Sequence, residues 1–504
     1  MSHTRRFYIT TAIPYVNGDP HLGHALEFVQ ADVLARHRRE RGDAVRFLCG
    51  TDDNALKNVD AAVAAGLPVA EFVAQKAGRF ADLAAPLQLS NDDFIRTSTD
   101  PRHLPGVERL WRACAEAGDL YERDYEGLYC SGCEAFLASD DLGEGRCPEH
   151  GEVPERIVER NWFFRLSRYQ EALLDLVESG RLRIEPEHRR NEVLAFIRNG
   201  LTDFSISRPR ERGRGWGIPV PSDPTQVIYV WFDALGNYIT ALDYASDGDA
   251  YRDWWQRSDD RLHVIGKGII RFHAIYWPAI LLSAQVLPPT TIFVHDYLTA
   301  EGQKLSKSLG TAIDPNRLVE RFGADGLRWW LLRDVPRNGD ADFREELLAA
   351  RANELADGLG NLINRTIALV SRNPPSRIRV GGIGLVDAEA LSARCADLSA
   401  AIDNALGTFD LRAATAAVWE VVSEANRFVS ATRPWELTKA ARAGDTDASE
   451  RLESVLAVLV GTCRLIAREL TPFLPHAAER IAVALDELNV QQGRALFPKF
   501  EEVG

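Results

Sequence analysis

The sequence of 504 residues is poor in lysine and in methionine, and it has no long apolar run. Only seven of its 59 lysines and arginines are lysines, and its single methionine is Met1. No stretch approaches the roughly 18 uncharged apolar residues of a membrane-spanning helix, so no transmembrane helix is expected. The N-terminal residues lead into a strand-like segment without the apolar region of a secretory signal. We therefore expect a cytoplasmic protein with no membrane partner.

An excess of acidic residues argues against a protein that coats nucleic acid. The net charge is −14, while the hydrophobic share of 45% and the charged share of 26% are ordinary for a globular protein. The length suggests about three or four domains. An RNA partner would need only local basic patches. Candidates lie at residues 36–41, 189–190 and 208–214, and a solvated surface is the alternative for each.

The seven cysteines are an odd number in a chain without a secretory signal, which argues against a disulfide framework. Four possible metal ligands are clustered, however: Cys130, Cys133, Cys147 and His150, in the spacing C-x2-C-x13-C-x2-H. Two close pairs joined by a short loop can complete a tetrahedral zinc site. Because all four positions are filled by protein ligands, we expect one structural Zn²⁺ per chain and no catalytic metal there.

Two short segments carry closely spaced basic residues, a pair of histidines in the first and a pair of lysines in the second. His21-Leu22-Gly23-His24 follows the strand-like residues 7–10, and Lys304-Leu305-Ser306-Lys307-Ser308 lies about 280 residues later in a glycine-flanked loop. A helix start attracts phosphate, and imidazole groups add donors there. Paired ammonium groups suit a moving phosphate clamp better than guanidinium groups do. A solvated basic loop is the alternative for the lysines. The pair, H-x-G-H with K-x-S-K-S, resembles the signature of class I aminoacyl-tRNA synthetases.

The pattern along the chain predicts an α/β region that is interrupted by an insertion and followed by helices. Short apolar runs at residues 6–10, 45–49, 227–233, 262–266 and 291–295 are typical of buried parallel strands. Helical stretches are predicted at residues 24–41 and 69–87. From about residue 343 apolar residues recur every three or four positions, which predicts an all-α bundle. A split sheet with ligand groups at its strand ends is a nucleotide-binding arrangement.

Four longer motifs resemble methionyl-tRNA synthetases, in collinear order over essentially the whole chain. They are Thr11-Ala12-Ile13-Pro14-Tyr15, Arg189-Arg190-Asn191-Glu192-Val193, Val230-Trp231-Phe232-Asp233-Ala234 and Phe272-His273-Ala274-Ile275-Tyr276-Trp277-Pro278-Ala279. The resemblance implies a Rossmann-type class I catalytic domain at residues 1–115 and 227–325. It also implies a connective zinc-binding insertion at 116–226, a stem-contact region at 326–350 and a helical anticodon-binding domain at 351–504. We expect the chain to lack the C-terminal tRNA-binding module that many relatives carry.

The resemblance also implies roles for individual residues. Those that fall where the family binds methionine are Ala12, Ile13, Tyr15, Asp52, Trp231, Ala234, Leu235, Tyr238, Ile269 and His273, with Arg208 near the substrate carboxylate. Aromatic walls suit a polarizable thioether. His21, Gly23, His24, Lys304 and Lys307 fall where the family binds ATP. Asn361, Arg365 and Trp435 match the anticodon readers, and a core position is the alternative for Trp435.

Three positions depart from the family pattern. Asp52-Asp53-Asn54-Ala55 stands where the family commonly has Asp-Glu-His-Gly. Gly268 replaces an aspartate that is expected to contact the ATP ribose, and Leu305 replaces the usual methionine of the lysine loop. These changes concern catalytic efficiency and inhibitor response more than the reaction itself.

The resemblance implies an ATP-dependent methionine–tRNA ligase that works through methionyl-adenylate. His21, His24, Lys304 and Lys307 would stabilise the transition state, with Mg²⁺ on the phosphates. The expected partners are methionine, ATP and tRNA(Met), and we expect a monomer. Two alternatives remain: a non-catalytic tRNA-binding or regulatory paralogue, and a synthetase-like ligase for another thioether or apolar amino acid. Pyrophosphate exchange with a panel of amino acids separates the three.

Overall fold

The chain folds into two compact units in a computed structural model. The structure describes residues 4–130, 135–137, 142–143, 145–148, 151–305, 312–373, 388–487 and 496–500. The first unit comprises residues 1–31, 41–84 and 90–295, and the second comprises residues 32–40, 85–89 and 296–504.

The first unit is built on a six-stranded parallel sheet. The strands of this unit are β1 Arg6–Thr11, β2 Ala44–Thr51, β3 Asp93–Arg96, β4 Leu120–Cys130, β5 Ala135–Leu137, β6 Glu155–Phe164, β7 Arg183–Glu185, β8 Phe204–Ser205, β9 Ser207–Pro209, β10 Pro219–Val220, β11 Asp223–Ile228, β12 Asp260–Gly266 and β13 Thr291–His295. The parallel sheet has the order β3-β2-β1-β12-β13-β7. The Rossmann-type parallel sheet predicted from the sequence is therefore present.

Helices connect these strands. They are α1 Leu22–Glu40, which continues into the second unit, α2 Leu56–Ala64, α3 Val69–Ala81, α4 His103–Glu116, α5 Gln170–Glu178, α6 Glu187–Arg198, α7 Val230–Thr240, α8 Asp249–Tyr251 and α9 Trp277–Ser283. The strand order reverses between β1 and β12, so the sheet has a topological switch point there. Ligands of open α/β sheets bind at the carboxyl ends of strands at such a point. Both predicted substrate segments, which follow β1 and β12, begin at these ends.

The region between β3 and α7 carries two antiparallel sheets. One has the order β5-β4-β6-β8, with β4 and β6 paired along ten residue positions from Leu120–Phe164 to Tyr129–Glu155, and the other has the order β10-β11-β9. One short segment, β7, leaves this region and pairs in parallel with β13. Sequence reasoning did not find β7 because three residues are too few for a periodic pattern.

Two predicted elements differ from the structure. Residues 227–233 do not form a buried parallel strand, because β11 ends at Ile228 in an antiparallel sheet and α7 begins at Val230. Nearly every residue of α7 is buried, so its sequence lacks the polar face that would have marked it as a helix. The second predicted helix, at residues 69–87, ends earlier, since α3 stops at Ala81 and turns follow.

The second unit is mostly helical, as predicted. Its elements are β14 Leu298–Ala300, β15 Gln303–Lys304, α10 Pro315–Arg333, β16 Ala341–Phe343, α11 Glu345–Glu354, α12 Asn361–Val370, α13 Glu389–Gly407, α14 Leu411–Thr432, α15 Pro434–Arg442, α16 Thr446–Leu470 and α17 Pro475–Glu487. The three short strands form one sheet, β15-β14-β16. A π-helical turn, Leu355–Gly360, joins α11 to α12. The apolar stripe of α16 is buried along most of the helix, which places this helix at the centre of the bundle.

A buried arginine ties three segments of the second unit together. Arg328 of α10 is fully buried and its guanidinium lies 2.8 Å from the carboxylate of Asp32. The same group donates to the carbonyl oxygens of Leu87, Pro472 and Phe473 at 2.9, 3.1 and 2.7 Å. A buried charge is tolerated only with such partners, so Arg328 joins segments that are distant in sequence.

Candidate functional site

Two stacked imidazole rings stand at the start of α1. The rings of His21 and His24 are 3.8 Å apart between centroids and nearly parallel. The backbone N–H of His21 donates to Nδ1 of His24 at 3.0 Å, and that of Gly23 donates to Nδ1 of His21 at 3.1 Å. Because both Nδ1 atoms accept, each neutral ring carries its proton on Nε2. The pair thus presents Nε2 donors at a helix N-terminus, which suits anionic oxygens.

The close approach of the His21 ring favours glycine between the two histidines. A Cβ atom at Gly23 would lie 3.0 Å from Cε1 and 3.1 Å from Nδ1 of His21. A larger residue would push the His21 ring away from its hydrogen bond with the backbone. The spacing H-x-G-H therefore has a steric reason as well as a chemical one.

Four rings form a connected cluster beyond the ends of β1 and β12. Tyr15 and Trp231 meet edge to face at 6.3 Å between centroids, and Trp231 meets His273 edge to face at 6.2 Å. The hydroxyl of Tyr238 lies 2.7 Å from Nε2 of His273. The structure thus brings together four of the predicted methionine-binding residues from segments more than 200 positions apart in sequence. The other predicted residues of this group, Ala12, Ile13, Ala234, Leu235 and Ile269, are buried or pack against the same core.

Phe272 belongs to this cluster, although sequence reasoning gave it no role of its own. Its ring is stacked on Trp231 with 3.7 Å between centroids and an interplanar angle of 4°. Phe272 and His273 lie together in a π-helical turn, Phe272–Tyr276. Such turns are frequent at functional sites, but they leave no signal in a single sequence.

Hydrogen bonds assign the protons of the cluster. Nδ1 of His273 lies 3.0 Å from the carbonyl oxygen of Ile269, so Nδ1 donates and Nε2 accepts the Tyr238 hydroxyl proton. Behind it, Nε2 of His263 accepts from the indole N–H of Trp277 at 3.2 Å. Burial lowers the pKa of His273 to about 4, and burial also holds the pKa of His263 well below its usual value. Both rings are neutral at pH 7.

We expect His273 to make stability depend on pH. The unfolded chain binds this proton below about pH 6.5, whereas the folded chain binds it only near pH 4. The stability that neutral His273 contributes is therefore present above pH 6.5 and is lost as the pH falls to 4. The slope is about 1.4 kcal/mol per pH unit, or about 3 kcal/mol in all. Urea unfolding between pH 4.5 and 7 measures it.

The control for this prediction is a second histidine of the same unit. His273→Gln should flatten the slope by about 1.4 kcal/mol per pH unit, whereas His188→Gln, at an exposed position of α6, should keep it. Equal slopes in the wild type and in His273→Gln would contradict the assignment.

Asp52 lies beside Tyr15, where β2 ends. The two residues form an isolated parallel bridge, and the backbone N–H of Asp52 donates to the carbonyl of Pro14 at 2.9 Å. Asp52 is buried, and its Oδ1 accepts from the backbone N–H of Asn54 at 3.2 Å. Asp52 therefore lies next to Tyr15 of the ring cluster, and its predicted role in binding the substrate stays a prediction.

Asp53, one of the departures from the family pattern, is held by its own unit. Its carboxylate accepts hydrogen bonds from Thr51, Arg96 and Ser98 at 2.8, 3.1 and 2.6 Å. Burial raises the pKa of Asp53, and these donors oppose the rise. The carboxylate of Asp53, which is one methylene shorter than the glutamate of the family pattern, therefore has hydrogen-bond donors on both oxygens and a structural role.

Several arginines of the basic patches at residues 36–41 and 208–214 contact acidic or aromatic side chains within their own units. Arg208 is buried with its guanidinium 4.4 Å from the ring centre of Tyr229. Arg212 pairs with Glu159 at 2.7 Å, and in the second unit Arg36 pairs with Asp32 at 2.8 Å. These three side chains do not form a solvent-facing patch for RNA.

A glutamate that sequence reasoning missed supports the end of β1. One oxygen of Glu27 accepts from the backbone N–H of Ala12 at 2.7 Å, and the other lies 2.9 Å from Nε2 of His295. Glu27 is buried on α1, three positions after His24.

The predicted residues of the lysine loop and of the anticodon site belong to the second unit. Lys304 lies in β15, and Lys307 lies outside the described residues. Asn361 begins α12, Arg365 is exposed one turn later, and Trp435 of α15 is 50% exposed. The alternative that Trp435 fills a core position is therefore wrong.

Only part of the predicted zinc site is described. Cys130 ends β4, and the backbone N–H of Gly151 donates to the carbonyl of Cys147 at 2.8 Å. Both cysteines are buried, although the neighbours of Cys147 are exposed. Cys133 and His150 fall outside the described residues. Within those residues, no three acidic, cysteine or histidine side chains form a group that could hold a metal ion.

Known proteins resemble the chain along nearly its whole length. The family model described as "tRNA synthetases class I (M)" matches residues 7–156 and 139–367. Methionine–tRNA ligase of Rhizobium meliloti is 40% identical over 100% of this chain and 96% of its own length. That of Mycobacterium leprae is 39% identical over 98% and 91%.

Solved structures agree with these matches. Methionyl-tRNA synthetase of Mycobacterium tuberculosis, bound by methionyl-adenylate, superposes with a TM-score of 0.89 at 36% identity, covering 97% of this chain and 96% of that one. The free form of the same protein gives 0.84 at 33% identity, covering 99% of each chain. Separately, in the part of the chain that the structure describes, no helix has the length and apolar character needed to cross a membrane.

Proposed function

The chain belongs to the class I (M) tRNA synthetases, the family of methionyl-tRNA synthetases, and we propose on that basis that it ligates methionine to tRNA(Met). In the first step a carboxylate oxygen of methionine attacks the α-phosphorus of ATP, and pyrophosphate leaves. In the second step a hydroxyl of the terminal tRNA ribose attacks the carbonyl carbon of methionyl-adenylate, and AMP leaves. Mg²⁺ accompanies the ATP phosphates.

The proposal depends mainly on one observation, the cluster of Tyr15, Trp231, Tyr238 and His273 beside Asp52 at the switch point of the sheet. Aromatic rings provide favourable contacts for a thioether sulfur. The carboxylate of Asp52 suits the substrate ammonium, and the neutral state of His273 avoids a cation next to the sulfur. Leucine would fill similar space without these sulfur contacts.

The two histidines at the start of α1 would bind the phosphates. Their Nε2 donors and the helix N-terminus favour negative charge that develops in the in-line displacement. Lys304 and Lys307 would supply two further positive charges from the lysine loop. These residues orient reactants and stabilise charge, and no protein side chain needs to form a covalent bond.

The experiment that tests the first step is amino-acid-dependent exchange of pyrophosphate into ATP. We expect exchange with L-methionine and at least a hundredfold less with leucine, norleucine or isoleucine at equal concentration. Exchange with none of them would favour the non-catalytic paralogue, and a preference for another amino acid would favour the synthetase-like ligase.

We propose that Cys130, Cys133, Cys147 and His150 hold one structural Zn²⁺. The burial of Cys130 and Cys147 and the hydrogen bond from Gly151 to the carbonyl of Cys147 fit such a site. When bound, the metal would hold the ends of this segment together. We expect elemental analysis to find one zinc per natively purified chain. Cys147→Ser should lose it, and Cys463→Ser, a buried cysteine of α16, should keep it. Active wild-type protein without zinc would contradict the proposal.

We propose that Asn361, Arg365 and Trp435 read the anticodon. Half of the Trp435 side chain is exposed, so its ring can stack on an unpaired base. Stacking of this kind contributes about 1–3 kcal/mol per base. Trp435→Ala should therefore raise the KM for tRNA about five- to a hundredfold and leave pyrophosphate exchange unchanged. Val483→Ala, at another half-exposed apolar residue of this unit, is the control. An equal loss of exchange and charging would show that Trp435 is structural.

A further inference from the structure

A line of polar side chains, buried at His103 and Asp233 and half-buried at Asn54, runs from α4 through α7 to the end of β2. Nε2 of His103 lies 2.5 Å from Oδ1 of Asp233, and the side-chain amide of Asn54 donates to Oδ2 of the same carboxylate at 2.7 Å. His103 and Asp233 are fully buried. A carboxylate only accepts hydrogen bonds, so His103 carries a proton on Nε2 and donates it. Both oxygens of Asp233 are thus occupied by donors from distant segments.

Close packing of two helices explains why His103 reaches Asp233. A Cβ atom at Gly106 of α4 would lie 2.4 Å from Cγ2 of Thr240 on α7, so only glycine permits this approach. The hydroxyl of Thr240 lies 2.8 Å from Nδ1 of His103. The imidazole is therefore held at both nitrogen atoms.

The other end of the line touches Asp52. The backbone N–H of Asn54 donates to Oδ1 of Asp52 at 3.2 Å. The amide of Asn58 donates to the backbone carbonyl of Asp52 at 2.9 Å. Because the side chain of Asn54 is anchored to Asp233, its backbone N–H has a fixed direction, and that direction orients one oxygen of Asp52.

We infer that Asn54, Asp233 and His103 form a positioning chain that orients the carboxylate of Asp52 toward the ammonium group of the amino acid substrate. The side-chain amide of Asn54 reaches Asp233, while its backbone N–H holds Asp52. The inference rests on the proposed function, in which Asp52 binds that ammonium. The three residues act through Asp52 and do not themselves touch the substrate.

The experiment compares two ligands that differ only in the ammonium group. L-Methionine and 4-(methylthio)butanoate share the thioether and the carboxylate. The butanoate competes with methionine and inhibits pyrophosphate exchange. This inhibition gives the dissociation constant of the butanoate divided by that of methionine, which measures the preference for methionine. A structural weakening of the pocket lowers both affinities and leaves the ratio unchanged, whereas misplacement of Asp52 lowers only the affinity for methionine.

The variants remove one link of the chain at a time. Asn54→Leu and His103→Leu should each reduce the preference for methionine about tenfold, with the KM for ATP changed by less than about twofold. His103→Gln keeps an N–H donor near the Nε2 position and should retain the wild-type ratio. Asn237→Ala removes a buried amide of α7 that donates to the carbonyl oxygen of Ala234 in the same helix at 2.6 Å, and this variant serves as the matched control.

Asp52→Asn separates the inference from the proposed function. If Asp52→Asn lowers the ratio and Asn54→Leu and His103→Leu do not, the positioning chain is wrong while the role of Asp52 stands. If Asp52→Asn leaves the ratio unchanged, both the role of Asp52 and the inference fail. If either leucine variant does not fold, the other variant and the rescue by His103→Gln decide the question.

Discussion

Replacing His24 by asparagine is expected to slow methionine-dependent pyrophosphate exchange about a hundredfold. The amide oxygen of asparagine can still accept the backbone N–H that now binds Nδ1 of His24, so the start of α1 should keep its fold. The donor on Nε2 is lost, and one such contact with developing charge contributes about 3 kcal/mol to the barrier. Steady-state exchange at saturating methionine and ATP measures the effect.

Glutamine at the same position is the matched comparison. His24→Gln carries an N–H donor close to the place of Nε2 and should recover activity to within about tenfold of the wild type. The KM for methionine should change little in either variant. Equal activity of the asparagine and glutamine variants would show that the Nε2 donor has no part in the chemistry.

Replacing Arg328 by methionine is expected to lower the free energy of unfolding by about 3–5 kcal/mol. The substitution removes the guanidinium between Asp32 and three buried backbone carbonyls. The free-energy cost of leaving the Asp32 carboxylate buried without its cation exceeds the net stabilisation that the ion pair provided. Urea unfolding of the full chain, followed by the loss of helix in the second unit, measures this change in the free energy of unfolding.

An exposed ion pair of the same unit provides the control. Arg464 lies 2.9 Å from Asp486 with 41% of its side chain exposed, and Arg464→Met should cost less than about 1 kcal/mol. Adding Asp32→Leu to Arg328→Met should recover part of the stability, since the uncompensated charge is then gone. A loss below about 1 kcal/mol in Arg328→Met alone would refute the account of this site.

The sequence predicted the central strands because their environment leaves a simple signal. The strands β1, β12 and β13 are buried on both faces, and their runs of apolar residues are short and bounded by polar or glycine residues. The helix α7 follows the same rule and was mistaken for a strand, because burial on all sides removes the periodicity that separates the two. The edge strand β7 was too short to give any signal.

The candidate site could be predicted from the sequence where its residues form short motifs with a recognisable spacing. The histidine pair at α1 and the residues of the ring cluster are recognised from spacing and from the family motifs. The line from His103 through Asp233 to Asn54 could not be predicted. His103 lies 49 positions from Asn54 and 130 positions from Asp233 along the chain, and a lone histidine or aspartate belongs to no periodic pattern. Only the fold shows that they meet.

The measurement that tests the central claim most directly is charging of tRNA by the purified chain. With ATP, Mg²⁺, L-methionine and a tRNA that carries the anticodon CAU, we expect methionyl-tRNA to form on nearly every acceptor end, with AMP and pyrophosphate as products. Changing the anticodon should slow charging at least a hundredfold. Failure to charge this tRNA, or equally fast charging with leucine, would contradict the assignment.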